Sequence, residues 1–170
     1  MTESNTASKL DIRQVYIKDM SFESPMAPQS IVGGNTNPKI DINLGVRYQR
    51  LDEEGHYEVV LTIEADAKTE GNTMFLVEVQ QAGLFRIQGF GDKEMGLVLN
   101  VACPTVLLPF ARAAVTDVVS RGGFPQLLIS PVNFEMLYAN KTRDAQQQPG
   151  GGDGNAPAPV QGPGNGETIN

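Results

Sequence analysis

One cysteine, one histidine and no tryptophan in 170 residues exclude several classes of protein at once. Cys103 alone cannot close an intramolecular disulfide, and one Cys with one His supplies no metal-ligand cluster. No stretch reads as a run of roughly 18 apolar residues, and residues 1–8 (MTESNTAS) carry neither a basic n-region nor an apolar run. A soluble, cytosolic protein without direct membrane insertion is expected. Basic residues are also scarce, 13 Lys and Arg against 20 Asp and Glu for a formal charge of -7. That balance repels phosphate backbones and argues against a nucleic-acid partner.

The acidity is uneven. Residues 15–91 hold eleven acids against six bases, and residues 92–143 four against five. At 40% hydrophobic and 19% charged, the chain can bury one domain. Residues 1–12 are polar without period, and residues 144–170 hold eleven Gly or Pro in 27 positions. Neither segment buries enough apolar area to offset its ordering entropy. We therefore expect disordered tails at 1–14 and 144–170 around a folded domain at 15–143.

Within that domain the first half alternates with period two. Ile40, Ile42, Leu44, Val46 and Tyr48 alternate with Lys39, Asp41, Asn43, Gly45 and Arg47. After Asp52-Glu53-Glu54-Gly55, Tyr57, Val59, Leu61, Ile63 and Ala65 alternate with Glu58, Thr62, Glu64 and Asp66, which predicts a long hairpin. A turn at Glu70-Gly71-Asn72 leads into a third strand carrying Phe75, Val77 and Val79 on one face. Residues 15–23 predict a fourth, and residues 25–38, rich in Pro and Gly, a crossover.

The second half changes period. Asp92 reads as an N-cap, and Met95, Val98, Leu99 and Ala102 follow at helical spacing until Pro104, which should end the helix. A second helix is expected over 105–121, with Pro109 in its first turn and Gly122-Gly123 as its stop, and a third, short one begins near Asn133. Strands followed by helices predict an α+β fold: a four-stranded antiparallel sheet with two main helices and a short C-terminal one. The second helix looks apolar on two sides, with Leu107, Phe110, Ala111, Ala114 and Val118 on one and Leu108, Val115 and Val119 on the other. One sheet cannot cover both, so helix-to-helix contact between subunits is expected; the alternative is that the first helix, also apolar on two sides, covers the second strip within one chain.

Chemistry finds little to work with. Cys103 with His56 is the one nucleophile and base pair available, and Cys103 sits in an apolar run where a thiolate is disfavoured. Gly89-Phe90-Gly91 opens like a dinucleotide fingerprint, yet the third glycine is missing and Asp92 and Glu94 would face a pyrophosphate. No carboxylate pair stands apart. The chain is not expected to be an enzyme or to need a cofactor or metal.

Residues 16–28 (YIKDMSFESPMAP), 57–61 (YEVVL), 75–83 (FLVEVQQAG), 103–112 (CPTVLLPFAR) and 119–134 (VSRGGFPQLLISPVNF) together resemble the SecB family of protein-export chaperones. The resemblance spans nearly all of the folded region. It implies a homotetramer, a dimer of dimers, that binds unfolded preproteins and delivers them to the SecA motor ATPase of the translocase. It also implies that SecA is bound by Asp19 and Glu23 in KDMSFE and by Leu76 and Glu78 in FLVEV. The alternation agrees, placing Asp19, Ser21 and Glu23 opposite in phase to Met20 and Phe22.

A client groove is expected beside Ile40, Ile42, Leu44, Tyr57, Phe75 and Phe85, whose apolar area exceeds what three helices would cover. The alternative for each is a place in the core. The chain departs from the family in its glycine-rich crossover at 31–38, which lacks the aromatic that relatives often carry, and in its long Gly/Pro tail. A chaperone dedicated to one client, such as a toxin-antitoxin pair, or an interaction scaffold on the same fold would share these features.

Overall fold

The computed structural model describes residues 7–34 and 37–147. Four strands form one antiparallel sheet: β1 (Lys9–Glu23), β2 (Lys39–Arg50), β3 (His56–Thr69) and β4 (Asn72–Gln88), in the order β1-β4-β3-β2. A one-turn helix, α1 (Gln29–Val32), lies in the crossover between β1 and β2, where a loop was expected. After the sheet come α2 (Asp92–Leu97), a π turn (Val98–Ala102), α3 (Cys103–Arg121) and α4 (Phe134–Gln147). The α+β expectation and the four antiparallel strands hold.

The hairpins follow from turn chemistry. Glu70 and Gly71 both take positive φ, 50° and 82°, the geometry of a two-residue turn whose twist matches the flanking strands. It joins Thr69 directly opposite Asn72. Val59, Leu61, Ile63 and Ala65 of β3 and Val77, Val79 and Phe85 of β4 are fully buried on one face of the sheet, under the helices. The central strands are covered on that face because α3 lies across β4 and β3. Edge strand β2 is covered less, so Ile42, Leu44 and Val46 are only half-buried.

Three boundaries differ from the sequence reading. β1 starts at Lys9 rather than Val15, because Leu10 and Ile12 pair with Ile87 and Phe85 of β4. A register break between Ile12 and Gln14 interrupts their alternation and hides it. At the other end, α4 runs past Arg143 to Gln147; the tail expected beyond it, residues 148–170, lies outside the described residues, as do residues 1–6.

The third difference concerns Pro104, which does not end a helix. Residues Asp92–Arg121 form one continuous helix of 30 residues, and Pro104 follows a π turn in which the Cys103 amide donates to Val98. Widening the turn by one residue absorbs the missing proline N–H and its ring. Pro109 accordingly lies inside α3 and not in a first turn. The N-cap is Gly91 and not Asp92, with the Gly91 amide donating to Glu94 Oε2 at 3.0 Å. By length and composition this helix could cross a membrane, but half of its most apolar window is buried against the rest of the fold, as in the core helix of a sheet-and-helix protein.

The two apolar strips of α3 also resolve differently. Leu107, Leu108, Ala111, Val115 and Val119 are all buried within one chain, because steps of three and four residues place them on a single sheet-facing stripe. Leu108, Val115 and Val119 are therefore not available to a second subunit. The returning segment, with Leu127, Ile129 and Phe134 buried, covers a flank of the helix, and the Thr116 hydroxyl donates to the Leu127 carbonyl at 3.0 Å. The large apolar side chains that stay exposed on the long helix are Leu97 and Phe110, each about half accessible.

Candidate functional site

Two surfaces on opposite faces of the sheet bring together the residues singled out from sequence. The first is the face away from the helices. The register sets Glu23 opposite Leu76, Leu76 opposite Asp66, and Asp66 opposite Asp41, in one row across all four strands. The adjacent row holds Ser21, Glu78, Glu64 and Asn43, and the next begins with Asp19 opposite Gln80. Asp19, Glu23, Leu76 and Glu78 are thus neighbours on β1 and β4. Asp41, Glu64 and Asp66, which the sequence reading did not assign to this site, extend the same acidic area. Their outward phase was visible in the alternation, but only the strand register shows which rows they share.

Few cations offset this charge. Lys68 pairs with Asp66 at 2.8 Å and Lys39 with Asp41 at 3.4 Å. Glu78 accepts a hydrogen bond from Gln80 Nε2 at 2.8 Å, and Gln80 in turn accepts from Arg47 at 2.7 Å. Asp19 and Glu23 are exposed and have no ion-pair partner among the described residues.

Beyond that end the same face carries a buried carboxylate. Glu58 is 7% exposed. It accepts hydrogen bonds from the Tyr16 hydroxyl, from Lys18 Nζ at 2.6 Å and from Gln49 Nε2 at 3.0 Å. Burial by itself would raise the Glu58 carboxyl, but the bonds from Lys18 and Tyr16 and the charges of Lys18 and Arg47 outweigh it and hold the carboxyl below the usual range. Burial and the neighbouring Glu58 push the Tyr16 phenol up to about 12.

A depressed carboxylate contributes stability above its unfolded value, about 4.3, and loses it as pH falls through the lower folded value. Glu58→Gln is therefore expected to destabilise by about 1–3 kcal/mol at pH 7. The gap to the parent should narrow steadily below about pH 4. Urea midpoints across pH measure it.

The second surface is a cavity of about 420 Å³ on the helix side, at the end of the sheet. Ile31 of α1, Pro38, Ile40 at the start of β2, Phe75 of β4, and Phe124 and Leu127 after α3 enclose it. Its floor is an aromatic cluster. Phe75 and Phe124 have ring centroids 4.8 Å apart, and Phe22 lies 6.0 Å from Phe75 and 6.3 Å from Phe124. Tilted and offset rings at these spacings attract by about 0.5–1.5 kcal/mol beyond their area.

Gly122 makes the cluster possible, since a Cβ there would come within 2.2 Å of the Phe22 ring. Gly122→Ala is expected to displace Phe22 into its stacked neighbours. The cost should be about 1–3 kcal/mol, seen as a lowered Tm.

Of the six residues expected to line a client groove, Ile40 and Phe75 border this cavity. Ile42 and Leu44 continue from Ile40 along the same face of β2 as a half-buried strip, whose apolar side chains pack partly against the core. Phe85 is a correction. It is fully buried, under Leu107 and beside Gly83, because α3 crosses β4 there. Tyr57 lies opposite Phe85 at that same end of the sheet, away from the cavity. The sequence reading assigned none of Ile31, Pro38, Phe124 and Leu127, which line the cavity from the crossover and from the segment after α3.

No catalytic arrangement accompanies these surfaces among the described residues. Cys103 is buried, and burial pushes its thiol up to about 12. His56 is held at its turn by Asp52, which accepts from its backbone amide at 3.0 Å and contacts Nδ1 at 2.6 Å. No group of three or more His, Cys, Asp or Glu among the described residues could hold a metal ion.

Comparison with known proteins gives concordant results. The family described as preprotein translocase subunit SecB matches residues 3–145. A protein-export protein SecB from Methylococcus capsulatus is 45% identical over 137 residues, covering 81% of this chain and 87% of its own length. One from Halorhodospira halophila is 43% identical over 145 residues, covering 85% and 83%. Among solved structures, a SecB-like chaperone of Mycobacterium tuberculosis, in complex with a peptide from an antitoxin, superposes with a TM-score of 0.61. It is 15% identical and covers 72% of this chain and 90% of its own, which is a likeness of fold.

Proposed function

This chain belongs to the SecB family, and we propose that it is a protein-export chaperone that holds unfolded preproteins in the apolar cavity and hands them to the SecA motor through its acidic sheet face. The observation that carries this reading is the placement of the two surfaces. An open apolar cavity lies on one side of the sheet, and unpaired carboxylates stand on the other. A client and a basic motor can therefore be engaged without competing for residues.

The cavity suits an extended chain of varied sequence. Most of its lining residues are apolar, with Ser30, Asn37 and Gln126 among them as hydrogen-bonding groups, and each large client side chain buried there contributes about 1.5–3 kcal/mol. The strip of Ile42 and Leu44 beyond Ile40 extends the contact along β2. The antitoxin-derived peptide bound by the tuberculosis chaperone supports a peptide-holding role for this architecture.

The motor site is Asp19, Glu23, Leu76 and Glu78, with Asp41, Glu64 and Asp66 reinforcing the field. Charge of one sign over several strands raises association rate more than it holds a partner, as suits a delivery step.

The assembly we propose is a cytosolic homotetramer, a dimer of dimers. β1 is an edge strand with Ile12, Ile17 and Met20 about half exposed, and Leu97 and Phe110 stand out on the long helix. Unpaired strand edges and apolar patches of this kind favour self-association. Light scattering should give four chains per particle. Suppression of aggregation of several unrelated denatured precursors, together with SecA binding, tests the function. Protection of a single client alone would favour a dedicated chaperone.

A further inference from the structure

β1 carries a second register break, and it decides which way the proposed motor-binding residues point. Tyr16 lies opposite Ala82, Ile17 opposite Gln81 and Asp19 opposite Gln80. Lys18 is therefore the extra residue of a β-bulge. Strict alternation from outward-facing Tyr16 would turn Asp19 and Glu23 towards the helices and expose Met20 and Phe22. The bulge resets the phase, so that Phe22 joins the aromatic cluster while Asp19 and Glu23 stand beside Leu76 and Glu78.

The side chains at this point converge on one carboxylate. Lys18 Nζ lies 2.6 Å from Glu58 Oε2, the Tyr16 hydroxyl donates to Oε1, and Gln49 Nε2 donates to Oε2 at 3.0 Å. Gln81 Nε2 donates to the Tyr16 carbonyl at 2.8 Å, holding the backbone one residue before the break. Glu58 belongs to β3, Lys18 and Tyr16 to β1, and Gln49 to β2, so a nearly buried carboxylate ties both edge strands to the middle of the sheet. The tethers span β4 where Ala82 and Val60 of β3 are both buried beneath them.

We propose that Glu58 is a positioning residue for motor docking: by anchoring Lys18 it fixes the bulge that presents Asp19 and Glu23 on the acidic face. The inference rests on the docking reading above, and its sign separates it from simple charge. Removing Lys18 takes a cation from the neighbourhood of an acidic face, which by electrostatics alone strengthens binding to a basic partner. Loss of the anchor weakens it instead.

The test uses the full chain carrying Lys18→Met, Glu58→Gln, or the swap of Lys18→Glu with Glu58→Lys. Lys18→Met is expected to lower SecA affinity at low salt by about tenfold and to speed amide exchange in residues 17–23. Affinity for a denatured precursor should stay within about twofold, since the cavity shares no residue with the clamp. The swap re-forms the ion pair and should recover part of the lost SecA affinity, whereas electrostatics alone predicts no loss from Lys18→Met to recover.

Unchanged or tighter SecA binding by Lys18→Met, with unchanged exchange, overturns the proposal even where Asp19→Lys with Glu23→Lys abolishes docking. Where that double variant still binds SecA, the docking reading fails, and exchange in residues 17–23 alone decides the anchor. Faster exchange sustains it and unchanged exchange overturns it. Should Glu58→Gln fail to fold, Lys18→Met carries the test.

Discussion

Asp19→Lys combined with Glu23→Lys is expected to abolish SecA binding at physiological salt while assembly and client binding persist. Both side chains are exposed and unpaired on β1, so replacing them removes no buried contact. Each reversal exchanges an attraction of about 0.5–1 kcal/mol for a repulsion of similar size. Two reversals together therefore remove about 2–4 kcal/mol, a loss on the order of a hundredfold at low ionic strength. Part of the parent's own affinity should fall between low salt and physiological salt, because exposed charges are screened. A double variant that binds SecA like the parent in a low-salt titration would sink the assignment of this face. Glu64→Lys with Asp66→Lys on β3 should give a smaller loss, since these residues lie one strand further from β1 and Asp66 is already neutralised by Lys68.

Ile40→Asp is expected to have the second largest effect, on clients. Ile40 borders the cavity and is 37% exposed at the start of an edge strand. A carboxylate there reaches water and costs the fold little, but it places a charge where an apolar client side chain would be desolvated. Losing one such contact should reduce affinity for a denatured precursor by about 1.5–3 kcal/mol, roughly ten- to hundredfold. SecA binding should be unchanged, because the residue faces the other side of the sheet. Phe85→Ala provides the contrast: its fully buried ring makes it a stability mutation, costing about 3–5 kcal/mol and lowering Tm. Retained client affinity in a folded Ile40→Asp variant would show that this cavity is not the groove.

The two surfaces differ in how far the sequence reveals them. Outward phase is a local property, so the alternation of Asp19, Ser21 and Glu23 with Met20 and Phe22 was legible. That Glu23 meets Leu76, or that Glu64 and Asp66 join the same rows, was not, because register depends on partners fifty residues away. The bulge at Lys18 is the sharper case. Reading 15–23 as one unbroken strand, Tyr16 and Asp19 cannot both face outward, yet they do, since an extra residue flips the phase between them. The groove was half legible for a related reason. A run of large apolar residues shows that area must be buried without showing whether a helix or a client buries it. Phe85 lies under α3, whereas Ile40 lies past its reach.

Pro104 shows where a sound local rule gives way. A proline inside a helix removes a hydrogen bond and costs about 3 kcal/mol or more, so a break was the expected outcome. The π turn at 98–102 spreads that loss over one extra residue, and burial of Cys103, Leu107 and Leu108 against the sheet favours keeping the helix in one piece. Packing of a continuous apolar stripe outweighs a single defect in the backbone ladder.

The sequence by itself determined the α+β class, the three hairpin-linked strands and the acidic character of the outward residues, because alternation, turn residues and composition act over a few residues. Tertiary structure alone decided the strand register, the two bulges of β1, the unbroken 30-residue helix and which apolar residues stand open at the cavity. Those features are settled by contacts between segments far apart in the chain, where one residue of slip exchanges the two faces of a strand.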